Sequence, residues 1–342
     1  MRRLFLATAI LASAIPAGQL TAAAGVKGRA TRVEHREPDR ARIPPGMYTM
    51  GLPPEDVDVL LEECQQAVGA SSDPRLDHCR SWGVALGRRT HREIWVDGFW
   101  MDVDEVTTEA YRRCARDGAC DVAPLISGDT RHLADELPIV NVTRAEATTY
   151  CGWRGGRLPT EAEWERAARG DDPHKPLRTW PWGDDPRPGD FNHGKVREPV
   201  LRQLADVAPL NSLGPARAAG DPDDSDGWLY AAPPGRMRWS DGPHGVHDLA
   251  GNVAEWVMDD FDELGFIELA PANPVRIGPP GSAAMTRGGS WRDPMFAARV
   301  DVPSYQSGFV ILRPLEPDMR AVNIGFRCVY GGATPDASTG VH

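Results

Sequence analysis

The chain has 342 residues, with 38 Lys and Arg against 49 Asp and Glu, so its formal net charge at pH 7 is −11. Nothing in the sequence forms a basic patch, which excludes a nucleic-acid surface because phosphate binding requires clustered cations. The abundance of Pro (31), Gly (35) and Trp (11) is typical of a turn-rich domain in which indole rings provide much of the core.

The N-terminal region has the features of a secretory signal. Two arginines precede an apolar run from Leu4 to Ile15, and three alanines ending at Ala24 supply a cleavage site. The apolar run is too short for a stable membrane anchor. We therefore expect residues 1–24 to be a signal peptide, exported by either the Sec or the twin-arginine route. The mature protein is expected in the periplasm or extracellular space, without a membrane span.

Residues 25–41 are charged and lack periodicity, so we expect a flexible lead-in and a fold that begins near Arg42. The segment IPPGMYTMG predicts a strand, and the apolar spacing from Asp56 to Ala67 predicts a helix. HREIWVDGFWMDVDEVT is the clearest strand region, with Asp97-Gly98 as a turn or bulge. A helix is predicted from Thr108 to Arg116.

Two capping boxes mark the start of helices in the middle of the chain. Thr143 with Glu146 opens a helix after a short predicted strand in LPIVNVT, and Thr160 with Glu163 opens a second helix. Gly170 can adopt the left-handed conformation that ends this second helix. The pattern predicts a short, well-capped structural element.

The second helix places a large ring beside two small residues, because Trp164, Ala167 and Ala168 share one face. We expect this face to pack in the core. Residues 173–241 are rich in Pro, Gly and Asp and predict a long loop. The segments GVHDLAGNVAEWVMDD, RGGSWRD and NIGFRCVY predict closing strands, and residues 332–342 are expected to form a flexible tail.

Six cysteines in an exported chain favour three disulfides. Cys114 and Cys120 flank a predicted helix end and can close a local loop, while Cys64 and Cys79 bracket an earlier segment. The remaining pair, Cys151 and Cys328, would join the middle of the domain to its C-terminal strand.

The chain resembles the formylglycine-generating enzyme family, also called the sulfatase-modifying-factor family, in segments that follow the family's order: IPPGMYTMG, GFWMDVDEVTTEAY, LPIVNVT, YCGWRGGRLPTEAEWERAARG, WPWGDD, GVHDLAGNVAEWV, TRGGSW and NIGFRCV. The resemblance implies a single α+β domain over residues 42–331. It also implies a fold related to C-type lectins, with little regular secondary structure.

The resemblance further implies two structural calcium sites, each with two side chains and two backbone carbonyls that supply hard oxygen ligands. The first site would use Asp248, Gly251, Val253 and Glu255. The second site would use Asn192, His193, Asp226 and Trp228. The alternative for both sets is that the acidic side chains only cap turns.

The segment after the GGS step departs from the family. Members that make formylglycine have two cysteines there, which bind copper and react with a substrate cysteine. In this chain the two positions fall on Asp293 and Ala298, and no cysteine occurs between Cys151 and Cys328. Neither a carboxylate nor a methyl group can replace a thiolate in this chemistry, so copper is not expected.

Two histidines and a carboxylate, His244, His247 and Asp248, contain the ligand types of a non-haem iron site. Asp248 already belongs to the first predicted calcium set, and histidines in a turn are ordinary surface residues. Iron is therefore not expected.

Two hypotheses for the function remain. In the first, the protein is a pseudoenzyme: an exported, calcium- and disulfide-stabilised domain that binds a peptide, a glycan or a protein partner. In the second, it is an enzyme of the same family with altered oxidoreductase chemistry on a protein or peptide, with Asp293 or the histidines in a new site.

Overall fold

A computed structural model describes residues 39–68, 76–126, 129–170, 178–194, 223–237, 241–262, 264–303 and 315–333. The predicted signal peptide (1–24), nearly all of the lead-in and most of the tail lie outside these ranges. The helices are α1 Asp56–Val68, α2 Leu76–Gly87, α3 Thr108–Arg116, α4 Ala123–Ile126, α5 Arg144–Trp153 and α6 Glu161–Arg169. The strands are β1 Arg40–Ile43, β2 Gly46–Met50, β3 Arg92–Val96, β4 Phe99–Asp102, β5 Ala254–Asp260, β6 Ala284–Arg287, β7 Ile324–Gly325 and β8 Val329–Gly331.

The first four strands form one antiparallel ladder with a break in its middle. Arg40 lies opposite Asp102 at one end, Met50 lies opposite Arg92 at the other, and both halves keep the same register. The break falls at Pro44-Pro45, because proline has no N–H to donate to the ladder. IPPGMYTMG therefore contains one strand, β2, after Ile43 at the end of β1, and the ordered ladder begins at Arg40, before the predicted start at Arg42.

Two further pairings complete the sheets. β4 pairs on its other edge with β8, which gives a three-stranded sheet of order β1-β4-β8. β5 pairs with β6 in antiparallel and with β7 in parallel orientation, which gives a second three-stranded sheet. The architecture is a single α+β domain with short elements, as the family resemblance implies.

Two strand predictions are wrong. The segment RGGSWRD leaves the sheet after Arg287, because Gly288 (φ 88°) and Gly289 (φ 63°) have left-handed backbone conformations that cannot continue a strand. LPIVNVT forms no strand either. It makes a single isolated antiparallel β-bridge, between Pro138 and Thr107, the residue just before α3.

The helix predictions agree closely with the structure. α3 has the predicted bounds, and both capping boxes are formed, with reciprocal hydrogen bonds between Thr143 and Glu146 and between Thr160 and Glu163. α2 and α4 are additional helices that the sequence pattern does not indicate. No helix in the described ranges is long and apolar enough to cross a membrane.

Three disulfides join all six cysteines in the expected pairs. Cys64–Cys79 links α1 to α2, and Cys114–Cys120 closes a short loop at the end of α3. Cys151–Cys328 spans 177 residues and ties α5 to the chain just before β8. No cysteine is free.

Helix α6 lies in the centre of the domain, and all nine of its residues are buried. Two of its three glutamates pair there with arginines from distant segments. Glu161 pairs with Arg89 at 2.8 Å and with Arg287 at 3.0 Å, and Glu165 pairs with Arg287 at 2.8 Å. The helix is therefore buried on every side, beyond the single apolar face that its sequence predicts.

Candidate functional site

The turn after β6 carries the two positions where the resemblance places the copper cysteines. Asp293 is half-buried, and its carboxylate accepts a hydrogen bond from the hydroxyl of Ser290. The side-chain amide of Asn323 donates to that hydroxyl at 2.9 Å. Burial raises the pKa of Asp293, and the hydrogen bond from Ser290 opposes this effect. The carboxylate is thus held in a small polar network.

Ala298 is fully buried in a 3₁₀ turn, Met295–Ala298. Gly289 approaches it so closely that a Cβ atom on Gly289 would lie 2.9 Å from the Ala298 Cα. The turn is therefore closely packed around the second cysteine position.

Aromatic rings from two other segments pack against the same turn. Trp291, only 3% exposed, stacks on His132 with the ring centroids 5.7 Å apart, and Tyr230 meets it edge-on at 5.2 Å. Burial lowers the pKa of His132, which favours the neutral imidazole. The backbone carbonyl of Asp293 also accepts a hydrogen bond from the N–H of Gly194 at 2.9 Å. The turn thus depends on the segment that carries the second predicted calcium set.

In that second set, two side chains each have a buried oxygen that lacks a hydrogen-bond partner in the described ranges. These are the Oδ1 atom of Asn192 and the Oδ2 atom of Asp226. The Asn192 amide nitrogen donates to the Tyr230 carbonyl at 2.9 Å, which directs its oxygen away from that carbonyl. Burial raises the pKa of Asp226, and the hydrogen bond from the Trp228 N–H counters it. Unpaired buried oxygens are costly, and a hard cation is one way to satisfy them.

The first predicted calcium set has a different environment. Both carboxylate oxygens of Glu255 are hydrogen-bonded to Arg327, at 2.6 and 2.8 Å, and the indole N–H of Trp164 donates to one of them at 2.8 Å. The carboxylate of Asp248 accepts from the N–H of Gly235, and burial raises its pKa to about 6. A calcium ion at this set would have to share Glu255 with a buried guanidinium.

Gly251 and Val253 lie between those two carboxylates, in a turn with unusual backbone geometry. Gly251 has a φ of 78°, and its own Cβ position would overlap the Asn192 carbonyl oxygen at 2.0 Å, so only glycine fits there. The N–H of Val253 donates to the carboxylate of Glu105 at 3.1 Å. The turn is therefore close to the Asn192 segment and to a third buried carboxylate.

Sequence reasoning did not identify Asn252, which connects these groups. Its side-chain oxygen accepts from Asn192 and from the N–H of Ala232, and its amide nitrogen donates to Glu105 at 2.6 Å and to the Ala232 carbonyl. Its φ of 58° lies in the left-handed region, where asparagine is tolerated. An asparagine directly after a glycine in a non-strand turn was the available signal.

His244 and His247 carry the ligand types of an iron site, and the structure places His247 beside an aspartate. The Nδ1 atom of His247 lies 2.7 Å from a carboxylate oxygen of Asp104, and this hydrogen bond raises the pKa of His247. Within the described ranges, no three His, Cys, Asp or Glu side chains gather as a metal-binding group. The second predicted calcium set contains one carboxylate, that of Asp226, together with an amide and two backbone oxygens.

An open pocket of about 610 Å³ lies beside Asp104. The charged side chains that line it are Asp104, Glu109, Asp135, Glu136 and Arg236. Arginines of α3 pair with two of the acids: Arg113 with Glu109 at 3.3 Å and Arg112 with Asp135 at 3.0 Å. The net charge around the pocket is therefore less negative than the charges of its lining residues alone suggest.

Comparison with known proteins shows which family the chain belongs to. The family model described as the sulfatase-modifying factor enzyme 1-like domain matches residues 26–331. The formylglycine-generating enzyme of Streptomyces coelicolor is 34% identical over 192 residues, which cover 56% of this chain and 52% of that protein. The inactive C-alpha-formylglycine-generating enzyme 2 of Bos taurus is 28% identical over 204 residues, with 58% and 52% covered.

The chain spans about half the length of these curated relatives. Among solved structures, PvdO from Pseudomonas aeruginosa superposes with a TM-score of 0.54 at 21% identity, covering 85% of this chain and 94% of that one. This similarity extends across the described domain and shows the fold. The match over residues 26–331 establishes that the chain belongs to the sulfatase-modifying factor enzyme 1-like family.

Proposed function

We propose that this protein is a non-oxidising member of its family: an exported, calcium-stabilised domain that binds a peptide, a glycan or a partner protein. One observation carries the proposal. All six cysteines are held in disulfides, and the two positions expected to bear the copper thiolates are Asp293 and Ala298. The chain retains the family scaffold without the groups that perform the oxidation.

The chemistry of these two positions supports this view. Cu(I) binding and exchange with a substrate thiol both require a thiolate. The side chain of Ala298 has no polar atom and is fully buried, and the carboxylate of Asp293 is hydrogen-bonded to Ser290. One of the matched relatives, from Bos taurus, is itself named as inactive. A family member without oxidase activity is therefore a reasonable model for this chain.

Calcium is part of the proposal as a structural ion. The set of Asn192, His193, Asp226 and Trp228 is favoured, because it supplies two buried oxygens without hydrogen-bond donors. The set containing Asp248 and Glu255 is the weaker candidate, because Arg327 already balances the charge of Glu255. When bound, calcium would supply charge and coordination to these oxygens and would take no part in a reaction.

The direct test is an oxidation assay with a peptide that carries the Cys-x-Pro-x-Arg motif, in the presence of copper and oxygen. We expect no conversion of the peptide cysteine to formylglycine by mass spectrometry. Conversion at a rate above the protein-free control would overturn the proposal. The formylglycine-generating enzyme of Streptomyces coelicolor serves as the positive control.

A second candidate function rests on Asp293. A half-buried carboxylate with a raised pKa, at the position of a family cysteine, is the kind of group that accepts or donates protons in an active site. An enzyme with altered chemistry would show peptide-dependent oxygen uptake that Asp293→Asn abolishes. Without such uptake in the wild-type protein, the binding function is retained.

A further inference from the structure

Two tryptophans on the broken ladder face solvent. Trp100, on the central strand of the β1-β4-β8 sheet, is 47% exposed, and Trp95 on β3 is 38% exposed. Their neighbours along the same strands, Ile94 and Met101, are almost completely buried. An indole is costly to leave in water, and exposed tryptophan is enriched where proteins bind partners.

Arginines flank the more exposed of these indoles. Across the sheet, Arg42 lies opposite Trp100, which lies opposite Tyr330. Arg40, on the same face of β1 as Arg42, has its guanidinium 3.4 Å from the centre of the Tyr330 ring. Both arginines are exposed. Arg40 lies 4.0 Å from a carboxylate oxygen of Asp102, whereas Arg42 has no ion-pair partner within the described part of the chain. This positive surface occurs on a protein whose net charge is −11, so overall composition does not explain it.

Trp95 lies in the other half of the ladder, across the break between β3 and β4. Its indole N–H donates to the carboxylate of Asp97 at 2.8 Å. The exposed Met47 lies opposite Trp95 in the ladder and adds apolar surface beside it. The cations therefore accompany Trp100, whereas a carboxylate accompanies Trp95.

We propose that this outer surface, formed by Arg40, Arg42 and Trp100, binds an anionic glycan whose sugars carry carboxylates. The inference rests on the proposed binding function and names its ligand class. Each sugar ring of such a chain has a flat C–H face that can stack on an indole. Each also has a carboxylate that a guanidinium can hold through two parallel hydrogen bonds.

Charge complementarity selects an acidic ligand, and the indoles favour a glycan over an acidic peptide. A run of acidic side chains would be attracted to Arg42, yet it has no flat ring to place on Trp100. A neutral glycan would stack on Trp100 but would gain nothing from the arginines. Dependence on both residue types is therefore the distinguishing property of the proposed ligand.

The experiment measures the affinity of the full-length mature protein for a hexamer of galacturonic acid by isothermal titration calorimetry. We expect binding that weakens with salt and falls by about tenfold or more in Trp100→Ala and in Arg42→Ala. Trp100→Tyr should keep most of the affinity, because it keeps an aromatic face. Arg116→Ala and Ile126→Ala, which change exposed residues elsewhere on the protein, should leave it unchanged.

Three results would overturn the inference. The first is the absence of measurable binding to the hexamer. The second is equal binding of an oligoglutamate that Trp100→Ala does not weaken, which would point to charge alone. The third is equal binding of a neutral mannose hexamer. None of these bears on formylglycine formation, so the peptide assay tests the proposed function separately.

Discussion

The side-chain oxygen of Asn252 accepts a hydrogen bond from the side-chain amide of Asn192 at 3.2 Å, across 60 residues of sequence. The backbone N–H of Asn252 also donates to the Asn192 carbonyl at 2.8 Å. Through this pair, the glycine turn before β5 is joined to the segment of Asn192 and His193, which we propose as calcium ligands. The carbonyl of Asn252 accepts from the N–H of Trp291, so the pair also supports the turn that holds Asp293.

Replacing Asn252 tests this connection. Asn252→Gly should lower the free energy of unfolding by roughly 2–4 kcal/mol, because it leaves several buried partners of the amide without hydrogen bonds. Asn252→Ala should cost about 1 kcal/mol more, because alanine disfavours the left-handed backbone. Urea unfolding of both variants measures the two costs. Equal stability of the glycine variant and the wild type would show that the hydrogen bonds contribute little.

Calcium dependence follows from the unpaired oxygens of Asn192 and Asp226. Chelation should lower the melting temperature and calcium should restore it, with a stabilisation of about 2.7 kcal/mol when calcium is 100-fold above its Kd. Asn192→Ala and Asp226→Asn should each abolish this response. Asp224→Asn, an exposed acid in the same loop, is the matched control and should retain it.

Differential scanning calorimetry with EDTA and with calcium provides the readout. If the response survives Asp226→Asn but disappears in Asp248→Asn, the calcium assignment moves to the Glu255 set. An unchanged melting curve in EDTA would count against both sets.

Removal of the longest disulfide should have the largest effect among the three. In the chain-entropy model, replacing Cys151 and Cys328 together by alanine costs roughly 5 kcal/mol, because the bridge closes a very long loop. The same change at Cys114 and Cys120, six residues apart, costs roughly 2 kcal/mol in that model. Denaturant midpoints of the two double variants check the order. A smaller loss for the Cys151 pair would contradict the loop-length argument.

Stability should also depend on pH through Asp102. Burial raises the pKa of this carboxyl to about 6, although hydrogen bonds from Tyr330 and the N–H of Cys328 oppose the effect. A raised pKa means that the folded state holds the proton more tightly than the unfolded state, in which the pKa is about 3.9. The contribution of Asp102 to the free energy of unfolding is therefore fully present below a pH of about 4 and is lost as the pH rises through about 6.

Asp102→Asn removes this titration. The variant should gain roughly 2 kcal/mol relative to the wild type between pH of about 4.5 and about 7.5, because only the wild type loses its proton in that window. Urea unfolding at the two pH values gives the comparison. Glu136→Gln, at an exposed acid, serves as control and should show no such difference.

Local chemistry in this chain was predictable from sequence. The capping boxes of α5 and α6 join residues three positions apart, and both formed with the bonds expected of them. The bounds of α3 were likewise predictable, because they depend on nearby residues. The disulfide pairs were predictable because the chain has only six cysteines.

Long-range polar contacts were not predictable. Sequence reasoning placed Trp164 in the core as an apolar group and assigned Glu255 to calcium, whereas the Trp164 indole donates to Glu255. No local pattern encodes a hydrogen bond across 91 residues. The break at Pro44-Pro45 was readable in principle, because proline lacks the donor that a continuous ladder requires.

The burial of α6 has a consequence for the order of folding. Glu161 pairs with Arg89 and Arg287, at sequence separations of 72 and 126 residues. Glu163 and Glu165 also have nearby partners in Arg157 and Arg169. The first turn of the helix, where Glu161 lies, cannot enter a dry environment until the distant arginines arrive, because an unpaired buried charge is too costly. We therefore expect α6 to become protected from hydrogen exchange late in refolding, after the local turns of α3 and α5, even though its capping box is entirely local.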